Sequence, residues 1–181
     1  MPIVPLRYLF PNNPDDFVTL CQMLFRVHWG CGNLEPFGRR GHAQSGIDLI
    51  GNDKTGRVCA IQCKHRDFSS KLTEKEVLQE IESARKAEPT LSRYAIATTA
   101  KRNPILNRLA AAKTEEHTKD GRFTIEILAW DDINDLLNEH RDVANEFYAV
   151  VLSRRHQLPA PPSDFTGREA ELTELRAAIK Q

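Results

Sequence analysis

Several features are scarce in this chain of 181 residues, and each absence excludes something. No apolar run approaches the ~20 residues of a membrane-spanning helix, so no membrane association is expected. Residues 1–10 show no basic segment leading into an apolar one, so no secretion signal is expected and the reading is cytoplasmic. Cysteine is limited to Cys21, Cys31, Cys59 and Cys63, which reads as reduced thiols rather than a disulfide framework. A zinc set drawn from His28, Cys31, Cys63 and His65 has no C-x-x-C pair behind it and is not expected. Net charge is also lacking: 25 basic side chains balance 25 acidic ones, which excludes a polycation built for nucleic acid.

What is present is enough for a folded domain. Apolar residues make up 40% and charged ones 28%, the mix of a globular protein that builds a core without staples. Charge is unevenly spread. From Glu35 to Arg66, six basic residues (Arg39, Arg40, Lys54, Arg57, Lys64, Arg66) face three acidic ones (Glu35, Asp48, Asp53).

Asn13-Pro14-Asp15-Asp16 reads as a helix start, with Phe17, Leu20, Cys21, Leu24 and Val27 on its inner face and Gly30 and Gly32 at its close. A short strand is expected at 33–37, then a glycine-rich basic loop from Gly38 to Gly46. Strands at 47–50 and 57–64 form a hairpin. Thr73 and Glu76 make a capping box for a helix to about Ala87. A buried strand at 94–99 follows, then a helix from Asn103-Pro104 with Ile105, Leu109 and Ala112 inward. A strand at 123–129 is next, then a short helix capped by Asp131 and a last helix over 142–155. This order predicts an α/β fold: a mixed β-sheet flanked by helices on both faces, with the later strands parallel.

The chemistry concentrates in Gly41-His42-Ala43-Gln44-Ser45-Gly46-Ile47-Asp48 and, fourteen residues after Asp48, in Gln62-Cys63-Lys64. Gln62 and Lys64 share one face of their strand, with Ile61 and Cys63 on the other. Pairing of the strands lets Asp48, Gln62 and Lys64 converge at one sheet edge. A carboxylate, an amide oxygen and an ammonium so grouped suit phosphodiester hydrolysis. The oxygens hold a hard cation, Mg²⁺ or Mn²⁺, and the lysine stabilises the charge that develops on phosphorus oxygens.

Gly46-Ile47-Asp48 followed by Gln62-Cys63-Lys64 resembles the PD-(D/E)xK nuclease superfamily, specifically Mrr-like restriction endonucleases with a Q-x-K variant. The resemblance runs over most of residues 15–137, through Ala129-Trp130-Asp131-Asp132-Ile133. It implies a restriction-endonuclease-like fold in which Asp48 binds metal, Gln62 stands for the usual glutamate and Lys64 is catalytic. Many such proteins carry a glutamate in the first helix at the position that is Val18 here. Asp15, Asp16 or Glu35 could replace it as a metal ligand. Helix N-terminal electrostatics is the preferred account of the two aspartates. Arg39, Arg40, His42 and Gln44 are candidates for DNA contact, although an ordinary solvated loop explains the basic ones nearly as well. Trp130 and Cys63 read as core residues, with Cys63 pointing away from the site.

Three prolines within Leu158–Ser163 read as an extended spacer. Beyond it, Phe165-Thr166-Gly167-Arg168-Glu169-Ala170-Glu171-Leu172 with Leu175 resembles the start of a STAND-type NTPase domain of the NB-ARC kind. The chain contains no G-x-x-x-x-G-K-[ST], so it should bind no nucleotide by itself. The expected organisation is a nuclease domain over 1–156, a linker over 157–164 and the beginning of an NTPase domain over 165–181. Together the resemblances imply a DNA endonuclease acting on double-stranded DNA as the effector of a bacterial antiphage sensor, activated by self-association through the NTPase domain. The alternatives are a nuclease fold that only binds DNA, or an oligomer-assembly module.

Overall fold

The computed structural model describes residues 5–38, 46–67 and 70–155. The chain divides into two compact units, residues 1–147 and 148–181; all the strands lie in the first. The element order matches the expectation: α1 (Pro14–His28), β1 (Glu35–Pro36), β2 (Leu49–Asn52), β3 (Val58–Lys64), α2 (Glu74–Ala84), β4 (Arg93–Thr98), α3 (Pro104–Lys119), β5 (Thr124–Leu128), α4 (Trp130–Glu139) and α5 (Arg141–Arg155). The Pro-rich linker and the NTPase-like tail lie outside the described residues, as do Arg39, Arg40, His42 and Gln44.

The five strands form one mixed sheet in sequence order. β1–β2 and β2–β3 are antiparallel, and β3–β4 and β4–β5 are parallel. The helices that link β3 to β4 and β4 to β5 are what a parallel neighbour requires. On one face α2 and α3 pack Val77, Ile81, Leu106 and Ala110 against Ala60, Tyr94, Ile96 and Ile125. α1 lies against β3, and α4 packs on β4, β5 and α1. Phe17, Leu20, Cys21, Leu24, Ile133 and Leu137 are fully buried.

Local chemistry sets the helix ends. The Asn13 side chain accepts from the Asp16 N–H at 2.8 Å, with Pro14 in the first turn. Thr73 and Glu76 form the expected reciprocal box. Other expectations shift. Val27 is 55% exposed, and Phe25 takes the buried place earlier on the turn. In α3, Leu109 packs half-buried on the core as expected, but Ile105 and Ala112 face solvent while Leu106, Ala110 and His117 are buried. Two adjacent apolar stripes compete there, and packing of the helix on β5 selects the one that sequence spacing did not favour. Asp131 does not cap α4: the N-cap is Ala129, whose N–H donates to Asp132 Oδ2 at 2.9 Å. The α2 helix stops at Ala84 rather than Ala87.

The extended segment before α1 is read by two asparagines of α4. Leu6 N–H donates to Asn138 Oδ1 at 2.7 Å, and Tyr8 N–H to Asn134 Oδ1 at 2.9 Å. The asparagine amides donate back to the Leu6 and Tyr8 carbonyls. Two extended residues advance about 6.6 Å and four helical ones about 6.0 Å, so the polar groups stay in step.

Gly51 marks a close backbone approach. A Cβ there would stand 2.7 Å from Leu34 Cα and 2.9 Å from Leu34 N. Backbone cannot yield as a flexible side chain can. Gly51→Ala is therefore expected to destabilise the domain by about 2–3 kcal/mol, measured as a lower urea midpoint at unchanged slope. An unchanged midpoint would contradict this packing.

Candidate active site

Asp48 sits immediately before β2. Leu49 pairs with Ile61, and the Asp48 N–H reaches the same Ile61 carbonyl at 2.9 Å. The Asp48 carbonyl accepts from the Phe37 N–H at 2.8 Å. The backbone is thus gripped from both neighbouring strands while the side chain turns toward the end of β3. There, Asp48 Oδ2 accepts from Gln62 Nε2 and from the Cys63 N–H, both at 2.7 Å. Gln62 is buried, and Asp48 and Lys64 are half-buried.

The turn before Asp48 is fixed from below. Gly46 adopts φ +66°, where glycine is at ease, and its carbonyl accepts from the buried Tyr94 hydroxyl at 2.7 Å. A Cβ at Gly46 would lie 2.8 Å from Glu80 Oε2. Gly46-Ile47-Asp48 is therefore a structural unit: the glycine makes room for Glu80, Ile47 is buried, and Asp48 emerges at the edge.

Glu80 was not singled out in the sequence, and it completes the group. Its Oε1 lies 2.6 Å from Lys64 Nζ, with both side chains largely enclosed. One helical turn away Glu76 pairs with Arg66. The signal was present: Lys64 and Arg66 are two apart on a strand end, and Glu80 and Glu76 are four apart on a helix, the same step match that docks the N-terminal segment.

Burial raises the Asp48 pKa above the ordinary aspartate value, and the nearby Glu80 charge adds to the rise. The Cys63 N–H and the Lys64 ammonium oppose it. The second carboxylate that acts on Asp48 is thus Glu80. The structure does not bring Glu35 there: that side chain pairs with Arg26, accepts from Gln22 at 3.2 Å and is 61% exposed. Asp16 accepts from the Asn13 side chain at the start of α1. Asp15 does share a pocket of about 440 Å³ with Asp48, Val18, Phe37, Cys63 and His65. Cys63 borders this pocket, while its thiol bonds the buried Cys21 of α1, as expected of a core residue.

Cys31, Cys59 and Cys63 are held protonated. Burial pushes Cys31 up to about 12 and raises Cys59. A hydrogen bond with Cys21, together with burial, raises Cys63 well above the usual thiol value. None of these three is poised as a nucleophile or a thiolate ligand. His65 Nε2 lies 2.8 Å from the Pro11 carbonyl oxygen. Trp130 is half-buried, donating to the Tyr8 carbonyl at 3.3 Å with its ring edge against Phe10.

A profile of a family described as restriction endonuclease matches residues 26–139, well over half of the chain. Among solved structures, the fold is similar to the DNA modification-dependent restriction endonuclease AspBHI, at 17% identity and a TM-score of 0.44, over 84% of this chain and 45% of that one. It is also similar to the MspJI restriction endonuclease, solved in complex with a 27-mer oligonucleotide, at 15% identity and a TM-score of 0.47, over 78% of this chain and 32% of that one. The chain thus spans less than half the length of either. No curated protein matches. The strand-and-helix frame around Asp48, Gln62 and Lys64 falls within the matched region, and the chain belongs to the restriction endonuclease family of DNA nucleases.

Proposed function

We propose that this domain is a metal-dependent endonuclease that hydrolyses phosphodiester bonds of double-stranded DNA. The observation that carries the reading is the junction of Asp48, Gln62 and the Lys64–Glu80 pair at the ends of β2 and β3, beside an open pocket. The donor set fits Mg²⁺ or Mn²⁺. Asp48 is a hard ligand, and Gln62, whose amide nitrogen faces Asp48, would turn its oxygen inward to be the second; a carboxylate whose charge is disfavoured by burial gains from an adjacent cation. When bound, the ion would polarise the phosphate and activate water. Asp48, Glu80 and Lys64 sum to one negative charge, so a divalent ion would turn the site positive toward a phosphate. Lys64 would supply charge to the phosphorane, and Glu80 holds its amine in place. With few protein ligands, DNA phosphates would complete the coordination.

The tail motif from Phe165 to Leu175 supports a further step: this domain is the effector of a STAND-type antiphage sensor, switched on when the following domain self-associates. Clustering raises the effective concentration of weak DNA contacts, which a neutral domain needs. The test is plasmid cleavage by this chain with Mg²⁺ or Mn²⁺, free and fused to an oligomeric scaffold, with a chelator control. Cleavage only on the scaffold supports the assembly switch. Metal-independent DNA binding without cleavage in either format overturns the nuclease reading. It would favour the binding module, for which Val18 in the pocket is the structural argument. Salt-independent indifference to DNA would leave the assembly module.

The raised Asp48 pKa gives a pH prediction. Asp48 must be ionised to hold metal, and it takes up its proton at a higher pH than an ordinary aspartate. Metal and proton compete for it. The acid limb of the cleavage profile is therefore expected to move to lower pH as Mg²⁺ is raised. An acid limb indifferent to Mg²⁺ would count against Asp48 as the metal ligand.

A further inference from the structure

At the far end of α1 from the pocket, two helix ends meet. α1 finishes at His28 and α4 at Glu139, with His140 as the C-cap residue that leads into α5. One donor atom from each of His28, Glu139 and His140 lies within 4.8 Å of the others, the group of three metal-ligating side chains that the described residues contain. Fifteen residues of helix separate this corner from the Pro14 end, about 21 Å. It is thus distinct from the site at Asp48.

We infer that His28, His140 and Glu139 form a binding site for a borderline transition-metal ion of the Zn²⁺ class. The geometry between the imidazoles is the central argument. His140 Nε2 and His28 Nδ1 face one another at 3.4 Å, long for a hydrogen bond. Two nitrogens held about 2.0–2.1 Å from one tetrahedral ion stand about 3.3–3.4 Å apart, the separation that these two imidazoles have. Two imidazoles and one carboxylate are a donor set that selects zinc-like ions over Mg²⁺. α1 and α4 present the negative ends of their dipoles to the corner, against which α5, starting at Arg141, sets its positive end. The cation nearest in effect to His28, Arg93, is already engaged: it donates to Glu126 at 2.6 and 2.9 Å and lies over the Trp29 ring.

The backbone holds the ligands in place without metal. The His140 N–H donates to the Leu136 carbonyl, and the His140 carbonyl accepts from Val143 and Ala144. His28 is steadied by the edge of Phe25. Three protein ligands leave a fourth position for water. Such an ion would clasp the end of α1 to the α4–α5 junction, fixing the helix whose other end lines the Asp48 pocket.

The test is Zn²⁺ titration of the chain against a chromophoric chelator, with Co²⁺ as a spectroscopic substitute. One Zn²⁺ per chain is expected, with tetrahedral Co²⁺ absorption that lacks a thiolate charge-transfer band. His28→Gln and His140→Gln should each weaken Zn²⁺ binding at least about tenfold. The glutamines keep size and polarity, and circular dichroism confirms that each variant folds. Asp48→Asn should leave Zn²⁺ binding unchanged, which separates this site from the proposed nuclease centre. Undiminished Zn²⁺ binding in the two histidine variants, a thiolate–cobalt band, or no binding by the wild-type chain would each overturn the assignment.

Discussion

Lys64→Ala is expected to lower Mg²⁺-dependent plasmid cleavage by roughly 10²–10³-fold, the usual loss when a charge-stabilising donor is removed from a hydrolytic site. Lys64 ends β3 two residues after Gln62, and its charge reaches Asp48. The same substitution strands Glu80, whose side chain is only 18% exposed. A stability loss of about 1–2 kcal/mol should accompany the loss of cleavage, between the values for surface and buried pairs. The two effects can be parted. Lys64→Met combined with Glu80→Gln removes the stranded charge and should recover the stability but not the cleavage. Glu80→Gln alone keeps the lysine while loosening its anchor, so it should cost less activity than Lys64→Ala. A Lys64→Ala variant that cleaves at the wild-type rate would remove Lys64 from the mechanism, and with it the strongest reason to place the site here.

The order of elements and the mixed sheet were legible because each rests on local signals: Asn13-Pro14 and Thr73-x-x-Glu76 at helix starts, and alternation along 123–129. The placement of Asp48 beside Gln62 was legible for the same reason, since a short antiparallel connection leaves little freedom of register. Glu80 was not, because its role depends on how α2 lies across β3, a tertiary fact. Taken alone, Glu80 reads as a solvated helix charge and Glu76 as a capping residue only. Only their spacing against Lys64 and Arg66 marks them. Glu35 misled in the opposite way. It lies close to the motif in sequence, yet β1 carries it past the site, and Arg26 and Gln22 on α1 claim it. Of the α3 residues expected inward, Leu109 does pack on the core, while Ile105 and Ala112 do not, because Ile105–Leu109 and Leu106–Ala110 have the same spacing and only the sheet distinguishes them.

Asp48→Asn should separate function from stability more sharply than any other substitution. Cleavage should fall by at least roughly 10³-fold, since the firm carboxylate ligand is lost and Gln62 offers only a neutral oxygen in its place. Stability should move the other way. The folded-state pKa of Asp48 is raised by burial and by Glu80, so folding favours its protonated form. The stability linked to this group is present at low pH and declines as pH rises through the raised folded-state pKa. At neutral pH the ionised carboxylate is therefore a net cost that a neutral amide lacks. The amide oxygen introduced by Asp48→Asn would still accept from the Cys63 N–H, the bond that most favours the present arrangement. The midpoint of thermal unfolding at neutral pH without metal should thus rise, by about 2–4 °C for each ~1 kcal/mol recovered in a domain of this size. The gain should shrink as the pH is lowered and Asp48 itself becomes neutral. Saturating Mg²⁺ should reverse the ranking, because only the wild type gains stability by binding the ion. A variant that is inactive but also less stable without metal would make Asp48 a structural residue whose loss disturbs the sheet edge. A variant that is inactive, more stable and blind to Mg²⁺ would show a carboxylate retained for chemistry at the expense of the fold.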